Sequence, residues 1–355
     1  MVSSLETVEG SFSMAPSISG DRFPLSLAAP LTIVTYHYVH PIAGSRYPAL
    51  KALDVGHFKQ QLKYFGRHYQ FVSIADVVAA REEGRALPEQ PLLLTFDDGY
   101  RDHYEHVWPA LREIGTTGAF YPTADATLGH SILDVNKIHF ILAAVDRHDA
   151  LVDAIDAAVH DDNMRSGGLT VAEYRLRYWT GNRFDAAPVL YCKQLLQHAL
   201  PDTLRRPLLD QLFGRFVSAD PAAFGADLYV NLAQLSDMRE SGMHIGGHGA
   251  THRWLDRLPR SEQTVEIDRS LYFLQLAGMS SSDVFTFCYP YGGYNDVTIE
   301  LLRERGCHAG LTVRPDLVDL RTVPMLELPR LDTNDLPHDP SAAPDLWTAR
   351  ARASR

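Results

Sequence analysis

The run Leu92-Leu93-Leu94-Thr95-Phe96-Asp97-Asp98-Gly99-Tyr100 constrains this chain more than any other stretch. Apolar residues without a polar face read as a strand buried on both sides. The strand drives straight into two adjacent carboxylates and a glycine. Two acids at one strand end repel each other and lose hydration, so something must compensate them. A bound cation is the economical answer. A solvated Asp-Asp-Gly turn is the plainer alternative.

A second stretch bears on that choice: His244-Ile245-Gly246-Gly247-His248-Gly249-Ala250-Thr251-His252. Histidine is the commonest metal-binding side chain, and two at i, i+4 can share one helical or turn face. With 16 histidines in 355 residues, chance alone supplies about one such pair. The spacing of His244, His248 and His252 leaves the pair ambiguous.

The wider context resembles a known family. Thr95-Phe96-Asp97-Asp98-Gly99 and His248-Gly249-Ala250-Thr251-His252 resemble, in order, the first two motifs of the polysaccharide deacetylases, the NodB-homology carbohydrate esterases. Phe287-Cys288-Tyr289-Pro290-Tyr291-Gly292-Gly293 is similar to that family's Arg-x-Pro-Tyr-Gly motif. The resemblance covers roughly residues 30–124 and 231–335. It implies an α/β fold, a distorted and incomplete (β/α) TIM-like barrel.

Alternating elements agree with a parallel sheet closed or nearly closed into a barrel. Strands are expected at Leu31–Val39, at the Asp97-Asp98 run, at Gly118–Pro122, around His248, and at Val284–Cys288, Ala309–Val313 and Leu326–Leu331. Helices begin after Asp54 and Ser73, near Val107, at Leu235, near Ser261 and at Asp296. Residues 125–230 break the rhythm with helical patterns such as Ile141–Val145 and Leu208-Leu209. They are expected to form a helical insertion at the barrel mouth, shaping the substrate pocket or serving only as a structural appendage. Residues 1–29 read as a flexible N-terminal tail and 336–355 as a C-terminal tail.

Two imidazoles and a carboxylate, from His248, His252 and Asp98, suit a catalytic ion with one open position. Zinc is the first expectation; iron, nickel or cobalt also fit. The metal would polarise the substrate carbonyl and activate a water. Asp97, pointing differently from the same strand end, would be the general base on that water. The resemblance assigns these two aspartates the same roles. It also gives the Tyr291 backbone N–H to the oxyanion.

Two departures from the family pattern stand out. The arginine that orients the base is replaced by Cys288, and Arg330, at the end of the last strand, is the candidate substitute. The late Leu-x-His motif that supplies the general acid is not visible; Leu326-Glu327-Leu328 occupies its approximate place. His37, ending the first strand, is the candidate acid or substrate contact, with His308 the alternative. His244 is expected to be a supporting or core residue.

The implied activity is metal-dependent removal of an N-acetyl group from an amino-sugar-containing substrate, acting on a linear amide that is not a peptide bond. Alternatives are hydrolysis of another small amide or ester, such as a deformylation, or a silent carbohydrate-binding barrel. Retention of Asp97 beside the ligand set speaks against silence, because binding alone needs no base.

The substrate partner is then an oligosaccharide or small molecule carrying an N-acetyl group. A net charge of −11 speaks against nucleic acid. No apolar stretch approaches the roughly 20 residues that span a bilayer. No basic, then apolar, leader is visible in residues 1–30, and the three cysteines are odd in number and widely spaced. These features set a cytoplasmic location as the expectation. Oligomeric state is not legible.

Overall fold

The computed structural model describes residues 30–129, 131–182 and 185–353. The expected N-terminal tail, residues 1–29, lies outside the described residues. Seven parallel strands make a ring: β1 (Thr32–Tyr36), β2 (Pro91–Asp98), β3 (Ala119–Pro122), β4 (His244–Ile245), β5 (Thr286–Cys288), β6 (Ala309–Leu311) and β7 (Leu331–Asp332). β1 pairs with β2, β2 with β3, β3 with β4 and β5 with β6. A bridge from Gly247 to Phe287 carries the sheet from β4 to β5, and another joins Leu311 to Leu328. Val34 opposite Leu331 then closes the circle. The fold is thus a distorted, incomplete (β/α) barrel, one strand short of the full form.

The period of two explains why β2 is buried along its whole length. Leu92, Leu94 and Phe96 pack outward with Phe58, Leu62 and Phe65 of the helix Val55–His68. Leu93 packs inside the ring with Ile33, Ala119, Tyr121, Leu311 and Leu328. Thr95 and Asp97 share the parity of Leu93, which directs Asp97 into the barrel at its C-terminal rim.

Helix starts follow their local chemistry. Asp54 accepts a hydrogen bond from the Gly56 N–H, and Ser73 and Asp76 form a reciprocal capping box. Asn295 caps Asp296–Glu304 in the same way. The last strand is shorter than the sequence suggests. Met325–Glu327 is a 3-10 turn, and regular pairing with β1 starts only at Leu331. Pro329 lacks an N–H and cannot donate to a ladder.

Among the described residues between 134 and 228 most are helical, in helices from Asp134–Ala144 to Pro221–Leu228. They enclose a separate core that includes Ile155, Tyr191, Leu209 and Phe213. Tyr38 and Tyr100, which follow β1 and β2, belong to that core, so the insertion is seated on the C-terminal rim of the barrel.

The C-terminal tail is partly helical, Leu346–Ala353. Buried Thr348 receives a hydrogen bond from the Tyr69 hydroxyl at 2.8 Å and pairs with the Tyr64 hydroxyl at 2.9 Å. Thr348→Val is expected to leave two buried phenols without this partner and to lower stability by about 1–3 kcal/mol. Denaturant melts check this, and turnover at 25 °C should not change.

Candidate active site

Every strand of a parallel barrel delivers its C-terminal end to one rim. Asp97 sits there, 2% exposed, gripped by the fully buried Arg330 side chain. Arg330 Nη1 donates to Asp97 Oδ1 at 2.9 Å and Nη2 donates to Oδ2 at 2.8 Å. The guanidinium is itself fixed: Nε donates to the Thr312 carbonyl at 2.9 Å and Nη1 to Thr95 Oγ1 at 3.2 Å. Thr35 Oγ1 donates to Asp97 Oδ2 at 3.3 Å, and the Cys288 thiol lies 3.4 Å from the same oxygen. Burial pushes the Asp97 carboxyl up. The Arg330 charge and hydrogen bonds overcome that and hold it well below the usual carboxylate range.

His37 stands on the open side of this pair. Its Nε2 is 3.9 Å from Asp97 Oδ2, and its side chain is 46% exposed. Asp97 therefore lies between the exposed His37 and the fully buried Arg330.

Asp98 is the last residue of β2, opposite Pro122. Its φ of 70° is left-handed and ends the ladder. Gly99 follows at φ 74°, where an added Cβ would fall 2.5 Å from Pro122 Cβ, so glycine is required. Asp98 Oδ1 lies 3.3 Å from His252 Nε2 and 3.5 Å from His248 Nε2. His248 Nδ1 is 2.7 Å from the Cys288 carbonyl. That carbonyl accepts a hydrogen bond from Nδ1–H, which leaves Nε2 unprotonated and turned toward Asp98. Burial lowers the His252 imidazole to about 4, so it is neutral at pH 7.

The chemistry of this trio fits a cation. Asp98 Oδ1 is buried and accepts no hydrogen bond, and His252 Nδ1 is likewise without a partner. The ligand atoms of Asp98, His248 and His252 lie within 4.8 Å of one another. A tetrahedral ion with bonds of about 2.1 Å separates its ligands by about 3.4 Å, close to both measured carboxylate–imidazole distances. Asp97, His248 and Cys288 also cluster. There the Arg330 guanidinium already occupies Asp97 and stands 3.1 Å from the Cys288 sulfur, so a second cation would be repelled.

The histidine loop has its own support. Glu266, on the helix Arg260–Leu276, accepts from the N–H groups of Ala250 and Thr251, both at 2.9 Å. His252 and Tyr291 both hold left-handed backbones, at φ 58° and 57°. With Asp98, they make three of the four non-glycine residues with positive φ among the described residues. Such conformations cost on the order of 1–3 kcal/mol each and persist only where the surroundings dictate them. The Tyr291 ring meets the His252 ring edge-on at 4.4 Å and stacks on Trp254 at 4.5 Å.

The structure brings Asp97, Asp98, His248, His252, Arg330 and His37 together, with Tyr291 against His252. It does not bring His308, which pairs with Phe285 at the N-terminal end of β5. His308 lies before β6 begins, and the opposite rim is where substrate would meet Asp97. His244 is likewise apart from the site, half-buried at the start of β4 with Nε2 2.7 Å from Thr286 Oγ1. Sequence reasoning missed Thr35, Glu266 and Tyr100. Tyr100 carried a weak signal, a polar ring two residues beyond Asp98. Glu266, an acid beside buried Ile267 in a helix, carried less.

Residues 219–310 match the family described as polysaccharide deacetylase. Over 44 residues the chain is 50% identical to the poly-β-1,6-N-acetyl-D-glucosamine N-deacetylase of Escherichia coli K12. That stretch is 12% of this chain and only 6% of the relative's length. The fold is similar to the Streptococcus pyogenes deacetylase PplD (16% identity, TM-score 0.53, 85% of this chain and 92% of that one). It is also similar to IcaB from Ammonifex degensii (18% identity, TM-score 0.51, 92% of this chain and 97% of that one). The BpsB deacetylase domain from Bordetella bronchiseptica is a third such structure (16% identity, TM-score 0.50, 88% and 98%). At these identities the structural likeness speaks for the fold alone. The matched segment, residues 219–310, and the three motifs gathered on one barrel rim are what this chain has in common with the polysaccharide deacetylases.

Proposed function

We propose that this protein is a metal-dependent hydrolase that removes an N-acetyl group from an amino-sugar-containing substrate, releasing acetate and a free amine. The observation that carries the reading is the pairing of two different carboxylates on one rim. Asp97 is charge-balanced by Arg330, while Asp98 is turned toward two histidines with an oxygen left unbonded. A binding protein has no use for that division.

Asp98, His248 and His252 would hold the divalent metal, zinc in the first instance, which when bound supplies Lewis-acid polarisation of the amide carbonyl and lowers the pKa of water. Asp97 takes the proton from the attacking water, its orientation set by the two Arg330 hydrogen bonds. Water adds to the carbonyl carbon, and the C–N bond breaks as the amine nitrogen gains a proton. His37, at the open face 3.9 Å from Asp97, gives that proton. The Tyr291 backbone N–H is the proposed donor to the carbonyl oxygen. The insertion is proposed to bound the pocket, since its core takes in Tyr38 and Tyr100, which follow β1 and β2 at the rim.

The test is acetate release from N-acetylglucosamine oligomers and N-acetylated sugar nucleotides, with metal content measured on the same samples. His248→Ala is expected to lose the metal and the activity together. Equal metal content in the variant and the wild type would sink the ligand assignment. Formate release from N-formyl substrates, with none of acetate, would replace the reading by the deformylase one.

A further inference from the structure

The insertion reaches Asp98 through a directed chain of hydrogen bonds. Asn136 sits on the insertion helix Asp134–Ala144 and is fully buried. The Leu133 N–H donates to the Tyr229 hydroxyl at 3.0 Å. That hydroxyl donates to Asn136 Oδ1 at 2.5 Å. Asn136 Nδ2 donates to the Tyr100 hydroxyl at 2.7 Å and to the Tyr38 hydroxyl at 2.6 Å. Tyr100 in turn donates to Asp98 Oδ2 at 2.5 Å.

The direction of this chain is fixed at both ends. A backbone N–H can only donate, and an ionised carboxylate can only accept. Each hydroxyl between them must therefore take a proton from the insertion side and pass one toward Asp98. Asn136 has its one acceptor and both donor hydrogens committed. Tyr38 and Tyr100 stack at 4.1 Å and Tyr100 and Tyr229 at 6.2 Å, which holds the three phenols in register.

We propose that Asn136 and Tyr100 are positioning residues through which the helical insertion sets the rotamer of Asp98, pinning Oδ2 so that Oδ1 alone faces His248 and His252. The insertion is then part of the metal site, two hydrogen bonds removed from the ion. This rests on the metal-site reading above. Among the described residues the Tyr100 hydroxyl is the hydrogen-bond donor to Asp98 Oδ2, while Oδ1 accepts none. Without the Tyr100 bond both oxygens would compete for the ion, and the freedom lost on binding would appear as weaker affinity.

The experiment titrates zinc into the metal-stripped full chain by competition with a chromogenic chelator. Tyr100→Phe keeps the stacked ring and removes only the hydroxyl; a 10–100-fold weaker affinity is expected, the usual loss for such outer partners. Asn136→Leu is expected to weaken affinity by a similar factor. The double variant should be no weaker than Tyr100→Phe, because Asn136 acts through Tyr100. Tyr38→Phe, whose hydroxyl shares the amide but has no bond to Asp98, should change affinity less than threefold. Circular dichroism checks that each variant is folded, and Tyr100→Phe alone decides the matter if Asn136→Leu is not. Asp98→Asn serves as the reference. If it binds zinc as tightly as the wild type, the metal-site reading and this inference both fall. If it binds weakly while Tyr100→Phe binds normally, only this inference falls.

Discussion

Asp97→Asn is expected to reduce acetate release by about 10²- to 10⁴-fold while the metal stays bound. The amide keeps the shape of the carboxylate and removes its basicity. Asp97 makes no part of the Asp98, His248 and His252 set, so metal content has no reason to fall. The substitution also leaves the buried Arg330 guanidinium without its counter-charge. Breaking a buried pair from one side costs about 3–5 kcal/mol, so a lower melting temperature should accompany the kinetic loss. The amide nitrogen must also face one of two guanidinium donors that now meet carboxylate oxygens at 2.8 and 2.9 Å. Turnover, metal content and a thermal melt on one preparation separate these effects. Turnover within threefold of the wild type, with the metal retained, would show that Asp97 is not the base.

Arg330→Lys is expected to lower kcat by about 10- to 100-fold, on the scale that a misplacement near 1 Å produces. Zinc affinity should stay within a few-fold. Lysine keeps the positive charge, so the result isolates geometry. One ammonium cannot span both Asp97 oxygens and also donate to the Thr312 carbonyl and Thr95 Oγ1, as the guanidinium does. The base would remain ionised but rotate. The check is kcat under saturating substrate beside a zinc titration. Unchanged kcat in a destabilised Arg330→Lys protein would reduce Arg330 to a structural counter-ion.

Strong local signals let much of this be read from the sequence. The unbroken apolar run before Asp97-Asp98 has one sensible fate in an alternating chain, a strand with helices outside and side chains inside. Asp54 and Ser73 mark helix starts because capping is decided within four residues. The placement of Arg330 beside Asp97 follows from topology, since parallel strands share one rim. What stayed hidden depends on three-dimensional proximity without a local mark. His308 precedes a strand and so lies at its N-terminal end, a distinction the residue type does not show. Asn136 is one amide in a helical stretch, and only the folded insertion brings it to Tyr38, Tyr100 and Tyr229. Glu266 holds the histidine loop from a helix whose pattern shows nothing of its partner. The shortening at the last strand was legible in principle, because Pro329 announces it.

A ring completed by Leu328–Asp332 also dictates an order of events during synthesis. Asp97 leaves the ribosome 233 residues before its guanidinium partner. At about 5–20 residues per second, the carboxylate waits on the order of 10–50 s. Through that interval β1 is an unsealed sheet edge, able to pair with another nascent chain. The insertion, with its own core, can fold meanwhile and cover the rim. Arg330 then acts as the closing bolt of the barrel, and a chain released short of it would carry a complete ligand set on an open, aggregation-prone sheet.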